Sequence, residues 1–79
     1  MLTPELSRAA RGLLGWTQEE LAKKARVGQS TVKDFEGKRR RPIENNLRAM
    51  QRALEAGGVE FVNGNQPGVR MKASPSGPS

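Results

Sequence analysis

The chain of 79 residues contains no cysteine, no histidine and no tyrosine. Without cysteine it can form neither a disulfide nor a thiolate site, and the absence fits a reducing compartment. Without histidine it lacks the most common metal ligand and general base. An enzyme is therefore the least expected function class, because the remaining carboxylates are expected on helix surfaces or in caps. We expect no cofactor and no metal site.

Long apolar runs and aromatic side chains are also scarce. No apolar stretch approaches the roughly 20 residues that span a membrane, and the N-terminus lacks the basic region and apolar stretch of a signal peptide. We therefore expect a cytoplasmic protein that does not contact a membrane. With one Trp and two Phe, RNA binding through stacked bases is a weak alternative.

Positive charge is what the chain has in excess. Fourteen basic residues against eight acidic ones give a formal net charge of +6. On a domain this small the excess favours a polyanionic partner, with simple solubility as the alternative. The length predicts a single domain with a modest core, which dimerisation would help to stabilise.

The central stretch TQEELAKKARVGQSTVKDFE, which begins at Thr17, predicts two short helices joined by a tight turn. Thr17 and Glu20 have the spacing of a capping box, and Trp16 and Leu21 have that of a hydrophobic staple. We expect Trp16 to serve the core and the staple rather than to stack on bases. Ala22, in the middle of the first helix, is small enough to let a second helix cross closely.

The second of these helices carries its polar residues on the outside. Val27 and Val32 form a second staple around a cap at Gly28, and Val32 and Phe35 face inward. A pair of helices that exposes the start of its second helix meets the requirements of a DNA-reading helix-turn-helix. The residues expected on its outer face are Gln29, Ser30, Lys33 and Asp34.

The patterns TQEELA, VGQSTV and FEGKRRRP together resemble the phage-repressor family of helix-turn-helix domains, the Cro-like or XRE type, over residues 5–56. The resemblance implies a transcriptional regulator, most often a repressor. Arg26 stands where members usually carry Gly, so either Arg26 adopts a positive φ or the turn differs. Gly28 stands where members often place Ser or Thr, and it is a weaker cap.

A first helix precedes the central pair. Thr3 is expected to cap it, with Pro4 at the first helical position, and Gly15 to end it. Arg8 and Arg11 are expected outside. The residues expected on its apolar face are Leu6, Ala9, Ala10, Leu13 and Leu14.

After Gly37 ends the second central helix, Lys38, Arg39, Arg40 and Arg41 precede a helix-stopping Pro42. Four adjacent cations favour contact with a phosphate backbone. A solvated basic loop and a basic targeting tract are the alternatives.

A fourth helix is expected to start at Glu44 or Asn45 and to stop at Gly57 and Gly58. Ile43 is expected to turn back toward the core. Asn45 and Asn46 either donate to a phosphate at this helix start or cap the helix. The residues expected on its inner face are Leu47, Met50, Ala53 and Leu54.

The last part of the chain predicts strands. Val59–Val62 and residues 69–71 flank an Asn-Gly turn signal, and such a hairpin either packs on the helices or pairs with the same segment of another chain. The expected fold class is mainly α: a compact four-helix helix-turn-helix domain over 1–58, a short β-strand or hairpin over 59–71 that is a possible dimerisation element, and a disordered tail over 72–79.

The expected roles of the site residues follow from their chemistry. Glutamine suits adenine, lysine suits guanine or a phosphate, and aspartate either accepts from cytosine or orients Lys33 or Arg26. Thr31 faces either a phosphate or the helix interior. The resemblance implies that Gln18 meets a phosphate and braces Gln29. Base contacts are expected from Gln29, Ser30, Lys33 and Asp34, and phosphate contacts from Gln18, Thr31, Lys38, Arg39, Arg40, Arg41, Asn45 and Asn46.

The expected partner is double-stranded DNA, read by a homodimer at a palindromic operator in a bacterial or phage-type, nucleoid-associated setting. The alternative is a DNA-binding antitoxin-type protein whose C-terminal segment binds a partner protein.

Overall fold

A computed structural model describes residues 2–72 of the chain, which form helices followed by a two-stranded sheet. The mainly α fold with a β-hairpin is as expected. The predicted tail over 72–79 lies outside the described residues, apart from Lys72. The elements are α1 Pro4–Leu14, α2 Gln18–Ala25, α3 Gln29–Glu36, α4 Glu44–Gly57, β1 Val59–Val62 and β2 Gly68–Met71.

The helix ends follow the local sequence signals closely. Thr3 Oγ1 accepts from the Leu6 N–H at 3.1 Å. In the capping box, Thr17 Oγ1 accepts from the Glu20 N–H at 3.0 Å, while Glu20 Oε1 accepts from the Thr17 N–H at 2.8 Å. Gly15 ends α1 in the left-handed conformation at φ 71°. These caps need only neighbouring residues, so the sequence predicts them well.

In the turn between α2 and α3, Arg26 adopts a positive φ, which is one of the two alternatives that the sequence predicts. Arg26 ends α2 at φ 60°, and the following Val27 N–H donates to the Ala22 carbonyl at 3.0 Å. A left-handed residue other than glycine costs roughly 1–2 kcal/mol. Lys38 adopts φ 61° after α3, where Gly37 keeps a negative φ.

The core lies where α2 crosses α3 and α4, and β1 closes it. Ala22 is buried in the middle of α2, which allows this close crossing. Trp16 packs against the core, and a Cβ on Gly57 would lie 2.6 Å from its ring. The core role predicted for Trp16 is therefore confirmed. The largest fully buried apolar side chains in the cluster are Leu21, Val32, Met50, Leu54 and Val59.

Three apolar residues are more exposed than the sequence predicts. Ile43 is 67% exposed as the residue that precedes α4, because its backbone rather than its side chain serves the helix start. In α1 the inward stripe contains Ser7 and Ala10, so Ala9 is exposed and Leu13 is 45% exposed. The stripe is rotated because the Ser7 hydroxyl has a buried partner, as described below.

The hairpin packs on the helices, as one of its two predicted alternatives stated. The strands are antiparallel, with Val59 opposite Met71 and Phe61 opposite Val69. Val59 is buried, and Phe61 and Val69 pack against the core, while α1 contacts β2 and α4 contacts β1. Burial of this face explains how so short a hairpin is held.

Candidate nucleic-acid interface

The N-terminal end of α3 presents a polar surface on a rigid base. Gln29, Ser30 and Lys33 are exposed, while Val32 and Phe35 on the opposite side of the helix are buried. Gly28 precedes the helix without offering a side-chain cap. The exposed side chains therefore stand on a helix whose orientation the core fixes.

A groove beside this helix brings together residues that are predicted to contact DNA bases and residues that are predicted to contact phosphates. Its cavity volume is about 200 Å³. Thr31 is half-buried and lines this groove, and Asp34 forms part of the same wall. Because the groove joins α3 to the basic loop and to the start of α4, a nucleic acid seated here would touch all three. The lining residues are Ser30, Thr31, Asp34, Arg40, Pro42 and Asn46.

The basic loop, which we define as Lys38, Arg39, Arg40 and Arg41, folds back on the last turn of α3. The N–H groups of Arg39 and Arg40 donate to the Asp34 carbonyl at 2.8 and 3.4 Å. Arg39 Nη1 lies 3.7 Å from Asp34 Oδ1, so the charged partner of Asp34 is Arg39 rather than Lys33 or Arg26. All four cations line a second groove of about 220 Å³, together with Pro4 and Phe35.

Lys38 is tied to the first helix. Its Nζ forms an ion pair with Glu5 Oε2. The hydrogen bond from Lys38 lowers the pKa of the Glu5 carboxyl, so this carboxylate is charged at neutral pH. Two of the four predicted phosphate contacts, Lys38 and Arg39, thus already have an acidic partner within the chain.

Asn45 and Asn46 lie in the first turn of α4. Asn45 is exposed, and Asn46 lines the groove beside α3. The residue at the cap position is Ile43, and α4 has no side-chain cap. The capping alternative for the two asparagines is therefore wrong, and contact with a phosphate stays a prediction.

Sequence reasoning missed a buried charge at the end of α3. Glu36 is 3% exposed, and four donors saturate its carboxylate. Ser7 Oγ donates to Oε2 at 2.6 Å, and Arg11 donates to Oε2 through Nε at 2.9 Å and to Oε1 through Nη2 at 2.6 Å. Gln18 Nε2 completes the set by donating to Oε1 at 3.1 Å. We call these four residues the Glu36 cluster.

The Glu36 cluster corrects two expectations. Arg11 is not outside, since its side chain is only 17% exposed and its Nη1 also donates to the Trp16 carbonyl at 3.0 Å. The acidic residues do not all lie on surfaces or in caps, since Glu36 is buried. The one available signal was the placement of Ser7 and Arg11 one turn apart beside the apolar stripe of α1. Their common partner is 25 or more residues away in the chain.

Two opposing effects act on the pKa of Glu36. Burial raises it, because the charged form loses solvent. Hydrogen bonds from Arg11, Ser7 and Gln18, together with the charge of Arg11, outweigh burial and hold the pKa below its ordinary value of 4.5. Glu36 is therefore a carboxylate at neutral pH.

Gln18 connects this cluster to the start of α2. It is the first residue of α2, it is half-buried, and its amide donates to Glu36. The bracing contact with Gln29 that the resemblance implies stays a prediction, as do all the DNA contacts. Within the described part of the chain, no helix combines the length and apolar character needed to cross a membrane.

Comparison with known proteins agrees with this geometry. A helix-turn-helix family model matches residues 8–61, which is most of the chain. No curated protein sequence matches it detectably. The matched range contains both helices of the central pair, the basic loop and most of the Glu36 cluster. The chain therefore belongs to the helix-turn-helix family of the XRE, or Cro-like, type, a family of DNA-binding regulators.

Proposed function

We propose that this protein is a sequence-specific regulator of transcription, acting as a repressor, that inserts α3 into the major groove of double-stranded DNA. The observation that carries the proposal is the exposed polar end of α3 on a buried apolar base. In this reading Gln29 hydrogen bonds to adenine, Lys33 to guanine, and Ser30 and Asp34 to the edges of flanking bases.

The flanking cations position the domain on the backbone without reading sequence. Arg40 joins the groove beside α3 to the groove lined by the basic loop. Thr31 and Asn46 line the first of these grooves, and Asn45 is exposed one residue before Asn46. A phosphate bound between α3 and α4 would be within their reach. The net charge of +6 favours this contact through counterion release.

The experiment that tests this function is selection from random duplex DNA with the purified full chain. We expect an enriched motif, and we expect Lys33→Ala to relax the preference at particular positions by about 1–3 kcal/mol. Arg40→Ala should weaken all duplexes alike and reduce the slope of log K against log salt by about 1. Arg8→Ala, on the exposed side of α1, serves as a charge-matched control. Failure to enrich any motif, or identical behaviour of the Lys33 and Arg40 variants on a panel of duplexes, would refute the assignment.

We also propose a homodimer on a palindromic operator, with half-sites about one helical turn apart. The hairpin is the candidate interface, since each strand pairs on one side only within the described residues. The Lys72 N–H donates to the Gly58 carbonyl, so alternation along the ladder directs the Met71 N–H to the outer edge.

Met71→Pro removes that outward donor, while Met71→Ala keeps it. Sedimentation should show a dimer for the wild type and for Met71→Ala, and a monomer for Met71→Pro. A dimer in all three proteins would exclude this edge of β2 as the dimer interface. A wild-type protein that is monomeric and binds DNA as one copy would exclude the homodimer.

The second candidate is an antitoxin-type protein whose C-terminal segment holds a partner. Against it, Val59 is buried and the hairpin packs on α1 and α4, which makes residues 59–71 part of the domain. Native capture of one stoichiometric protein, lost on truncation after Lys72 while DNA binding persists, would favour this candidate.

A further inference from the structure

The end of α3 and the start of α2 meet at a single buried carboxylate. Glu36 is the last residue of α3, and Gln18 is the first residue of α2. Their side chains join at 3.1 Å, with Gln18 Nε2 as the donor and Glu36 Oε1 as the acceptor. An amide nitrogen carries two protons, so this bond leaves a second N–H available. Gln18 is half-buried, so the residue keeps part of its contact with solvent.

The carboxylate is itself held firmly in place. Arg11 binds both of its oxygens in a two-point arrangement, and Ser7 takes a further position on Oε2. Both partners come from α1, while Glu36 belongs to α3 and Gln18 to α2. Because the other acceptor positions of the Glu36 carboxylate are filled, the Gln18 amide can bind it at one position and in one orientation.

We propose that Glu36 is a positioning residue for DNA binding, which holds the Gln18 amide so that its second N–H faces a backbone phosphate. The inference rests on the proposed function, because it assumes that Gln18 meets a phosphate. Glu36 does not touch DNA in this scheme. It acts by removing the rotamer freedom that a solvent-exposed glutamine would lose on binding, and by fixing which end of the amide points outward.

A double-mutant cycle on affinity for the selected duplex tests the proposal. Gln18→Ala should raise Kd about tenfold, the effect of one well-placed hydrogen bond to a charged group. Glu36→Gln should raise Kd about fivefold, because a neutral amide oxygen holds the Gln18 amide more weakly than the carboxylate does. The double variant should bind no more weakly than Gln18→Ala alone. If the two losses multiply, Glu36 does not act through Gln18 and the proposal falls.

Thr3→Ala is the control for a general loss of stability. It removes the side-chain cap of α1, which accepts from the Leu6 N–H, and it touches neither Gln18 nor Glu36. We expect lower thermal stability with Kd within about twofold of the wild type. A loss of affinity as large as that of Glu36→Gln, in a folded Thr3→Ala protein, would indicate a general structural effect and overturn the proposal.

A measurement on the wild type keeps the test valid if Glu36→Gln does not fold. In nuclear magnetic resonance spectra of the free protein, one Gln18 Nε2 proton should exchange with water more slowly than those of the exposed Gln66. The other should shift when duplex is added. Equal exchange at both residues, or no shift at Gln18, would overturn the proposal. Wild-type protein that binds no duplex would instead refute the proposed function.

Discussion

Glu36 and the basic loop are separated in the chain by a single glycine, yet the carboxylate of Glu36 is buried and the charges of the basic loop are exposed. Glu36 is 3% exposed, and all four donors around its carboxylate come from α1 and α2. The basic loop is exposed at all four positions, and its ion pairs with Glu5 and Asp34 are at the surface.

The difference shows that a buried charge can fix the relative positions of helices, whereas an exposed charge contributes only to the strength of binding. A buried carboxylate with every position filled fixes three helices relative to one another, because any displacement leaves a polar group unpaired. Exposed cations are screened by salt and contribute little to folding, yet they remain available to a polyanion.

Glu36→Ala should lower the free energy of unfolding by about 3 kcal/mol, because it leaves Arg11 largely buried and without its partner. Urea denaturation followed by circular dichroism measures the change. Arg40→Ala is the control from the basic loop, and it should change stability by less than about 0.5 kcal/mol. Similar losses in the two variants would contradict the contrast.

Acid should destabilise the folded protein in part through Glu36. The pKa of Glu36 is lower in the folded protein than its ordinary value of 4.5, so its contribution to stability is complete above that value. The contribution is lost as the pH falls through the lowered pKa. Denaturation midpoints of the wild type should therefore fall between neutral pH and about pH 3 by more than those of Glu36→Gln. If the denaturation midpoints of the two proteins changed with pH in parallel, Glu36 would not be the group responsible for the loss of stability.

Within the basic loop, Lys38 should contribute less to DNA affinity than Arg40, because Lys38 already pairs with Glu5. We expect Arg40→Ala to raise Kd about fivefold at low salt and Lys38→Ala about twofold. Glu5→Gln should lower Kd about twofold, since it releases Lys38 and removes a negative charge. Titrations at several salt concentrations measure these effects. A weaker complex with Glu5→Gln would mean that the ion pair organises the loop for binding.

The smallest effects concern the two left-handed residues at the helix ends. Arg26→Gly should raise the free energy of unfolding by about 0.5–1 kcal/mol, because glycine adopts a positive φ without the steric cost. Lys38→Gly should gain less, since it also loses the contact with Glu5. Thermal unfolding of both variants gives the comparison. A larger gain at position 38 would show that the surface ion pair contributes nothing to folding.

Local signals explain why so much of the fold could be predicted from the sequence. The capping box at Thr17 and the stop at Gly15 each depend on residues within one helical turn. The inner face of α4 follows from helical spacing alone. The same spacing failed in α1, where Leu13 is exposed and Ser7 is buried. In that helix, the packing of a distant carboxylate decided the orientation.

The candidate site divides in the same way. Exposure of Gln29, Ser30 and Lys33 follows from the helical period of α3, so the sequence could place them. The ion pair between Lys38 and Glu5 and the contact between Gln18 and Glu36 join residues 33 and 18 positions apart. No periodicity links such positions, and only the crossing of helices brings them together.

The helices, their caps, the excess of positive charge and the polar end of α3 follow from the sequence alone, because each depends on composition or on interactions over a few residues. Which charges are buried and which are exposed depends on the packed fold. A buried ion requires several donors at once, and the chain can supply them to Glu36 only after α1, α2 and α3 have packed together.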